Sequence, residues 1–420
     1  MMRIFSGAAA EARVRKLAAR GSRYEEIEGV VRRVVADVQR RGDRALRKYS
    51  ERWDGLQPDA SLRVSEEEIR WAWKSARPEL KRALQAAAAN IRHFCDMQKP
   101  KEWTRTRKGI SLGQLVRPVG SAGCYVPGGR YPLVSTMLMT VIPAQVAGVE
   151  NICVVSPKPQ ADVLVAAMML GVREVYRVGG AQAIAALAYG TESIPRVDRI
   201  VGPGNLYVTA AKKQVAFDCS IDMLAGPTEG LVISDTGRPD FIASDLMAQA
   251  EHDPEALVVF ITTRRGLAER VASSVKNLSS GNAMARQSIR TSGVILLSAS
   301  CQQSFAWANE IAPEHLTIDR VEDAALIRNA GSVFIGDYSP QAAGDYAAGP
   351  NHVLPTGAAA RFRGGLSVLD FVKLISVQKL SQPGLRGIAP IVELLAITEG
   401  LQAHAQSIRV RCDPGRTSHA

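Results

Sequence analysis

From about residue 115 onward, short β-branched runs bounded by Gly and Pro alternate with apolar stretches of helical length. This alternation constrains the fold more than any other feature. Strands separated by helices pair in parallel, because each helix supplies the crossover that returns the chain to the same end of the sheet. Residues 152–155, 174–178 and 199–201 read as strands, with helices over 161–170, 181–189 and 205–215. A second series has strands at 231–233, 257–261, 294–297 and 332–335, with helices around 241–251 and 267–275. The fold class expected is α/β, with two doubly wound, Rossmann-like domains and helical N- and C-terminal segments.

The first hundred residues carry the helical period instead. Ile27, Val31, Val34 and Val38 recur on one face until Gly42 and Asp43 offer a stop and a new cap, after which Leu46, Tyr49 and Trp53 mark a second amphipathic stretch. Ser65 and Glu68 form a capping-box pair ahead of Ile69, Trp73, Leu80, Leu84, Ile91 and Phe94, with Pro78 breaking that run in two. Beyond Leu366 the chain is expected to be helical, ending in a frayed tail of Pro, Gly and Ser.

With 420 residues, 46% of them hydrophobic and 22% charged, the chain has enough apolar material for two or three domains and is too rich in it for a disordered protein. The 52 Lys and Arg against 41 Asp and Glu give a net charge of +11. That field suits anionic ligands, and the basic residues mix with carboxylates instead of forming an aromatic-studded stripe, so no nucleic-acid partner is expected. The six cysteines include no Cys-x-x-Cys pair, and neither a disulfide framework nor a thiolate zinc knuckle is suggested. The longest apolar stretch, 133–147, is polar in places and short of a membrane span, and the N-terminus lacks a signal pattern. A cytoplasmic location with no membrane partner is the expectation.

Four of the six histidines, His252, His315, His352 and His404, stand beside carboxylates, amides or glycines, whereas His93 and His419 read as bystanders. Gln249 and His252 are three apart in an expected helix and so share a face, from which an amide oxygen and an imidazole can meet one ion. Asp345, in a glycine-punctuated loop running to His352, can bring a carboxylate, and His404 a fourth donor. A nitrogen and oxygen set without thiolate suits catalytic zinc. Glu314 and His315 pair a carboxyl with an imidazole; in an extended segment they would point to opposite faces, and an exposed turn is the plainer reading. Glycine turns at 179–182 and 202–205 fall where strands hand over to helices, the place where α/β folds hold phosphates, yet neither matches Gly-x-Gly-x-x-Gly. Gly226-Pro227-Thr228-Glu229 reads as a tight turn.

Taken together, seven segments resemble the histidinol dehydrogenase family: Gly-Cys-Tyr-Val-Pro-Gly-Gly at 123–129, Val-Gly-Gly-Ala-Gln-Ala-Ile at 178–184, Gly-Pro-Gly-Asn at 202–205, Ala-Gly-Pro-Thr-Glu at 225–229, Gln-Ala-Glu-His at 249–252, Ala-Pro-Glu-His at 312–315, and Gly-Asp-Tyr-Ala-Ala-Gly-Pro-Asn-His-Val-Leu-Pro at 344–355. The resemblance runs from about residue 20 to 410. It implies a homodimeric zinc enzyme that oxidises L-histidinol through histidinal to L-histidine, reducing two NAD. It implies Gln249, His252, Asp345 and His404 as zinc ligands and Glu314 and His315 as the acid–base pair. Tyr125, Gln182 and Asn205 correspond to NAD-contacting positions, and Thr228, His352 and Glu399 to substrate-contacting ones alongside the ligands and His315. Four parts are then expected: a helical segment at 1–24, a catalytic α/β domain at 25–124 and 229–366, an NAD-binding domain at 125–228, and a C-terminal segment at 367–420. In the family that segment reaches the partner's site, so Glu399 and His404 would serve the other subunit. Thr228 stands for the usual Ser, and Gly230 for a branched residue.

Other chemistries remain open at this level. A related dehydrogenase could act on another amino-alcohol or on a sulfonated diol. A zinc hydrolase would use Glu314 to activate metal-bound water and would need no nucleotide, and a basic binding protein would need no metal. Cys124 or Cys153 could form a thiohemiacetal with an aldehyde, although neither has a sequence neighbour that would lower its pKa.

Overall fold

The computed structural model describes residues 2–21, 25–128 and 133–412; Gly129, His419 and the expected frayed tail lie outside the described residues. The chain divides into two compact units, one formed by the residues up to Gln98 together with Val119–Phe371, the other by Lys99–Pro118 and the chain from Val372 onward.

The first unit holds two parallel sheets. Its five-stranded sheet has the order Glu174–Tyr176, Asn151–Val155, Ser121–Tyr125, Arg199–Val201, Ser220–Ile221. The chain starts at the central strand, winds outward to one side, then returns to wind to the other, so the strand order reverses at Ser121–Tyr125. Helices Gly180–Tyr189 and Leu206–Val215 lie together against the helix Glu25–Arg41, and their Ala, Val and Ile side chains share one buried cluster with Val31, Val34 and Val38. Their boundaries are set locally: the Asn205 side chain caps the second helix by accepting from Val208 N at 3.1 Å. The expected capping box is present, with Ser65 Oγ accepting from Glu68 N and Glu68 accepting from Ser65 N.

The six-stranded sheet has the order Arg3–Ser6, Val294–Leu297, Leu257–Thr262, Glu229–Ile233, His315–Ile318, Ser332–Ile335, all parallel. Its inner strands are mainly apolar and buried, and two separate clusters of side chains cover the two faces. Here the order reverses at Glu229–Ile233.

The α/β class stands, and the structure alters the expected parts in three places. Arg3–Ser6 is a strand within the segment expected to be helical, because Ile4 and Phe5 pack as an added edge on Val294–Leu297. The helices between 25 and 54 pack on the sheet expected to bind NAD, not on the one expected to carry the catalytic residues, and the former sheet begins at Ser121, before the expected boundary at 125. Finally, Val372–Leu380 is a strand inside the C-terminal segment expected to be helical.

In the second unit that strand pairs antiparallel with all of Ile110–Pro118, which also pairs with Trp103–Arg107. Helices Gln382–Thr398 and Gln402–Cys412 complete the unit. Leu374, Ile375, Val377, Ile391, Leu394 and Leu395 are exposed there. Among the described residues no helix is long and apolar enough to cross a membrane.

Candidate active site

The helix Cys301–Ile311 ends on Ala312, which takes the left-handed conformation at φ 52°, unusual for a residue with a Cβ. Pro313 then leads into Glu314 and the strand His315–Ile318. Glu314 and His315 are 6% and 3% exposed, so the exposed-turn reading fails. Nor do their side chains part to opposite faces: Glu314 precedes the regular strand, and its Oε2 comes within 3.7 Å of His315 Nδ1.

Both residues are fixed by the backbone of Glu229, the first residue of the neighbouring strand. Glu229 N donates to Glu314 Oε2 at 2.9 Å, and Glu229 O lies 3.2 Å from His315 Nδ1. The carbonyl can only accept, so Nδ1 carries a proton and the neutral ring presents Nε2 as the basic nitrogen. The Glu229 side chain is held in turn by Arg20, whose Nε donates to Oε1 at 2.6 Å, and by Gly357 N at 2.9 Å. Arg20 also donates to the carbonyls of Ile311 and Ala312, tying down the bend that delivers Glu314. Sequence reading took 226–229 as a turn and missed this role, which rests on main-chain atoms and leaves no residue-type signal.

His315 Nε2 meets Asp345 Oδ1 at 3.1 Å. Asp345 belongs to the short helix Gln341–Tyr346, not to the loop expected for it. Its other oxygen is 3.5 Å from Gln249 Nε2, and its carbonyl accepts from His352 Nδ1 at 2.7 Å. His252 lies near both Asp345 and His352. It sits in the turn after the helix Pro239–Ala250, not within it, and its N–H reaches back to Gln249 O at 3.3 Å. Gly230 has a local consequence: a Cβ there would lie 2.8 Å from Gln249 Cγ, so the glutamine fills space that the missing side chain leaves.

Burial pushes the Glu314 carboxyl up to about 8. Burial alone would depress His315, but the carboxylates of Glu314 and Asp345 outweigh it and raise the imidazole. Burial lowers His352. The cysteine route fails on the same ground: Cys124 and Cys153 are buried, and desolvation raises both thiols, Cys124 to about 12.

A cleft of about 640 Å³ opens at the carboxyl ends of the five-stranded sheet, where its strand order reverses. Tyr125, Gln182 and Asn205, far apart in sequence, all line it, together with Trp53, Asp54, Lys158 and Tyr207. Asp54 and Lys158 were not singled out from the sequence, since neither lies in a glycine turn. A second cavity of about 850 Å³ is lined by His252, Glu251 and Tyr346, and Gly128 lines both cavities. Thr228 immediately precedes the strand Glu229–Ile233. Glu399 and His404 belong to the second unit, where both are exposed.

A family model for histidinol dehydrogenase matches residues 17–412. The chain belongs to the histidinol dehydrogenase family. It is 48% identical over 401 residues to the histidinol dehydrogenase of Methanothermobacter thermautotrophicus, covering 92% of this chain and 94% of that one. The histidinol dehydrogenase of Geobacter sulfurreducens is 46% identical over 400 residues, covering 92% and 93%. The crystal structure of histidinol dehydrogenase from Elizabethkingia anophelis superposes with a TM-score of 0.93 at 36% identity, covering 98% of each chain.

Proposed function

We propose that this chain oxidises L-histidinol through histidinal to L-histidine in the cytoplasm, as a step of histidine biosynthesis, with NAD as acceptor in both steps and zinc at the catalytic centre. The observation that carries this reading is the buried Glu314–His315 pair, held on the Glu229 backbone beside Asp345, in a chain of this family.

The donors fit zinc in kind. Asp345 supplies a carboxylate, His252 an imidazole and Gln249 an amide, which as a ligand would turn its oxygen toward the ion. Among the described residues no three His, Cys, Asp or Glu side chains are grouped to hold a metal, so the reading needs a further donor from elsewhere. His404 of the partner subunit would be that donor, and the exposed apolar side chains of the second unit suit a homodimer. NAD fits the 640 Å³ cleft in size, and Gln182 Oε1, buried there without a hydrogen-bond partner, offers it an acceptor. In this reading the five-stranded sheet is the NAD-binding part and the six-stranded sheet carries the catalytic residues.

When bound, zinc would polarise the substrate's oxygen and NAD would accept hydride. His315 takes the hydroxyl proton on Nε2, the nitrogen left basic by the Glu229 carbonyl. A cation at Asp345 would withdraw the carboxylate that keeps this ring protonated, readying the base. Glu314, its carboxyl raised by burial, takes a proton from water for the aldehyde step. Thr228, His352 and Glu399 of the partner subunit would contact the substrate, and burial keeps His352 neutral for that purpose.

NADH formation from histidinol and from histidinal, with metal analysis before and after chelation, tests the reading. Metal-dependent NADH from both substrates is expected. Turnover of neither, or full turnover by the metal-free chain, would sink it, and hydrolysis without NADH would favour the zinc hydrolase.

A further inference from the structure

The glycine turns beside the cofactor cleft have committed their amides internally. Gly179 N donates to Asp54 Oδ2 at 3.0 Å, and Gly180 N to the Tyr125 hydroxyl at 3.2 Å. At the other turn Gly202 N donates to Asp222 Oδ2 at 2.7 Å. In a dinucleotide fold such amides cradle phosphate at the helix N-terminus. Here two carboxylates occupy that role, and Lys158 is the single cationic side chain of the cleft's described lining.

Asp54 comes from outside the sheet, at the end of the π-helical turn Ser50–Asp54. Its Oδ2 accepts a second hydrogen bond, from Gln182 Nε2 at 3.0 Å. A carboxylate can only accept, so the amide is locked with its nitrogen inward. Gln182 is 1% exposed and its Oε1 has no partner. That oxygen lies beside Gly180, where a Cβ would come within 2.8 Å of it, so a side chain at residue 180 would crowd the acceptor.

We propose that Asp54 is a positioning residue for the dinucleotide: it holds the Gln182 amide so that Oε1 accepts a hydroxyl or amide N–H of the cofactor, in place of a phosphate on the helix N-terminus. This rests on the reading of the cleft as the NAD site. Removing Asp54 frees the amide to rotate and costs the cofactor one oriented hydrogen bond, while the histidinol site is left alone.

Calorimetric titration with NAD tests this in wild type, Asp54→Ala, Asp54→Asn, Gln182→Ala and the Asp54→Ala/Gln182→Ala double variant, each also assayed for histidinol KM. Asp54→Ala should weaken NAD about tenfold with histidinol KM unchanged. Asp54→Asn, whose carbonyl can still accept both N–H groups, should retain most of the affinity. The double variant should bind no worse than Gln182→Ala, because Asp54 acts through Gln182. Wild-type affinity in Asp54→Ala, no rescue by Asn, or additive losses would each overturn the proposal. Should Asp54→Ala not fold, Asp54→Glu carries the same test by displacing the carboxylate one methylene. Absence of NAD binding to the wild type would instead refute the reading of the cleft.

Discussion

Lys212→Met would strip the charge from one of the most deeply buried side chains in the protein. Lys212 and Asp222 have side chains 2% and 0% exposed, with Nζ 2.6 Å from Oδ1. At that separation and an effective dielectric of about 20, their attraction is about 6 kcal/mol, a sum comparable with the several kcal/mol that each ion loses on leaving water. The intact pair is therefore close to neutral for stability, but removing one partner is not. Methionine matches the lysine stem in volume, so little cavity forms, while the Asp222 carboxylate stays buried without a counter-charge. Breaking such a pair costs about 3–5 kcal/mol. Asp222 keeps two backbone donors, Gly202 N at 2.7 Å and Met223 N at 2.6 Å, which places the expected loss near the low end, about 3 kcal/mol. Lys212 also donates to Gly202 O at 2.5 Å. Gly202 has φ 111°, and a Cβ there would lie 2.2 Å from Tyr125 O, so the pair holds a left-handed turn tight against a cleft residue. Urea unfolding followed by tryptophan fluorescence measures the loss, with Asp222→Asn and the double variant completing a cycle. A loss under 1 kcal/mol for Lys212→Met, or strict additivity in the cycle, would refute the reasoning.

His315→Ala should depress histidinol oxidation, and Glu314→Ala chiefly histidinal oxidation, each by roughly 10²–10⁴-fold; equal losses on both substrates would remove the division of roles. Because the Glu314 carboxylate helps to raise His315, the rise of kcat/KM with pH in Glu314→Gln should move to lower pH, and an unmoved profile would show the two groups uncoupled. Gln249→Ala should lower zinc content and activity together, and wild-type metal content in that variant would mean that Gln249 is no ligand. Asp37, drawn down to about 2 by Arg41, contributes stability that is fully present above the unfolded carboxylate range near pH 4 and is lost as pH falls toward 2; Asp37→Asn should flatten the acid limb of the melting temperature between those values, and parallel limbs would exclude the contribution.

The strands and helices that the sequence made legible are those with a period or a punctuation mark. Helices Ala161–Leu170 and strand Val294–Leu297 fall where expected, because Gly or Ser closes each run and the apolar residues fill both faces. Arg3–Ser6 escaped because a four-residue edge strand has no room for a pattern, and Val372–Leu380 because its alternation is mixed with Lys and Gln on an exposed sheet. In the site, side-chain chemistry was readable and main-chain chemistry was not. Glu314, His315 and Asp345 could be picked as residue types, whereas the bracket formed by Glu229 N and O exists only once two parallel strands are in register, with His315 opposite Gly230. Asp54 was hidden for a related reason: it acts on Gln182 across 128 positions of chain.

In the proposed reading the two parallel sheets of the first unit would be used from opposite ends, and the hydrogen bonds fit that reading. In the five-stranded sheet the carboxyl ends, where open α/β folds bind their ligands, carry the cleft. In the six-stranded sheet the corresponding end is closed on itself. Asp319 Oδ2 accepts from Asp235 N at 2.9 Å and Thr236 N at 3.1 Å, and Asp235 Oδ1 accepts from Thr263 N and Thr262 Oγ1, both at 2.7 Å. Carboxylates thus fill the amides that a phosphate would need, across the point where the strand order reverses. The opposite end of that sheet is where Glu229 and His315 each begin a strand, and there the backbone bracket, Asp345 and Gln249 converge. Gly128, shared by the cleft and by the cavity containing His252, links the two ends. A dinucleotide lying in the cleft and reaching past Gly128 would meet the substrate at the amino end of the second sheet. In that reading one doubly wound sheet would hold the acceptor and the other would carry the acid–base pair, an arrangement for which neither sheet needs the glycine fingerprint that the sequence lacks.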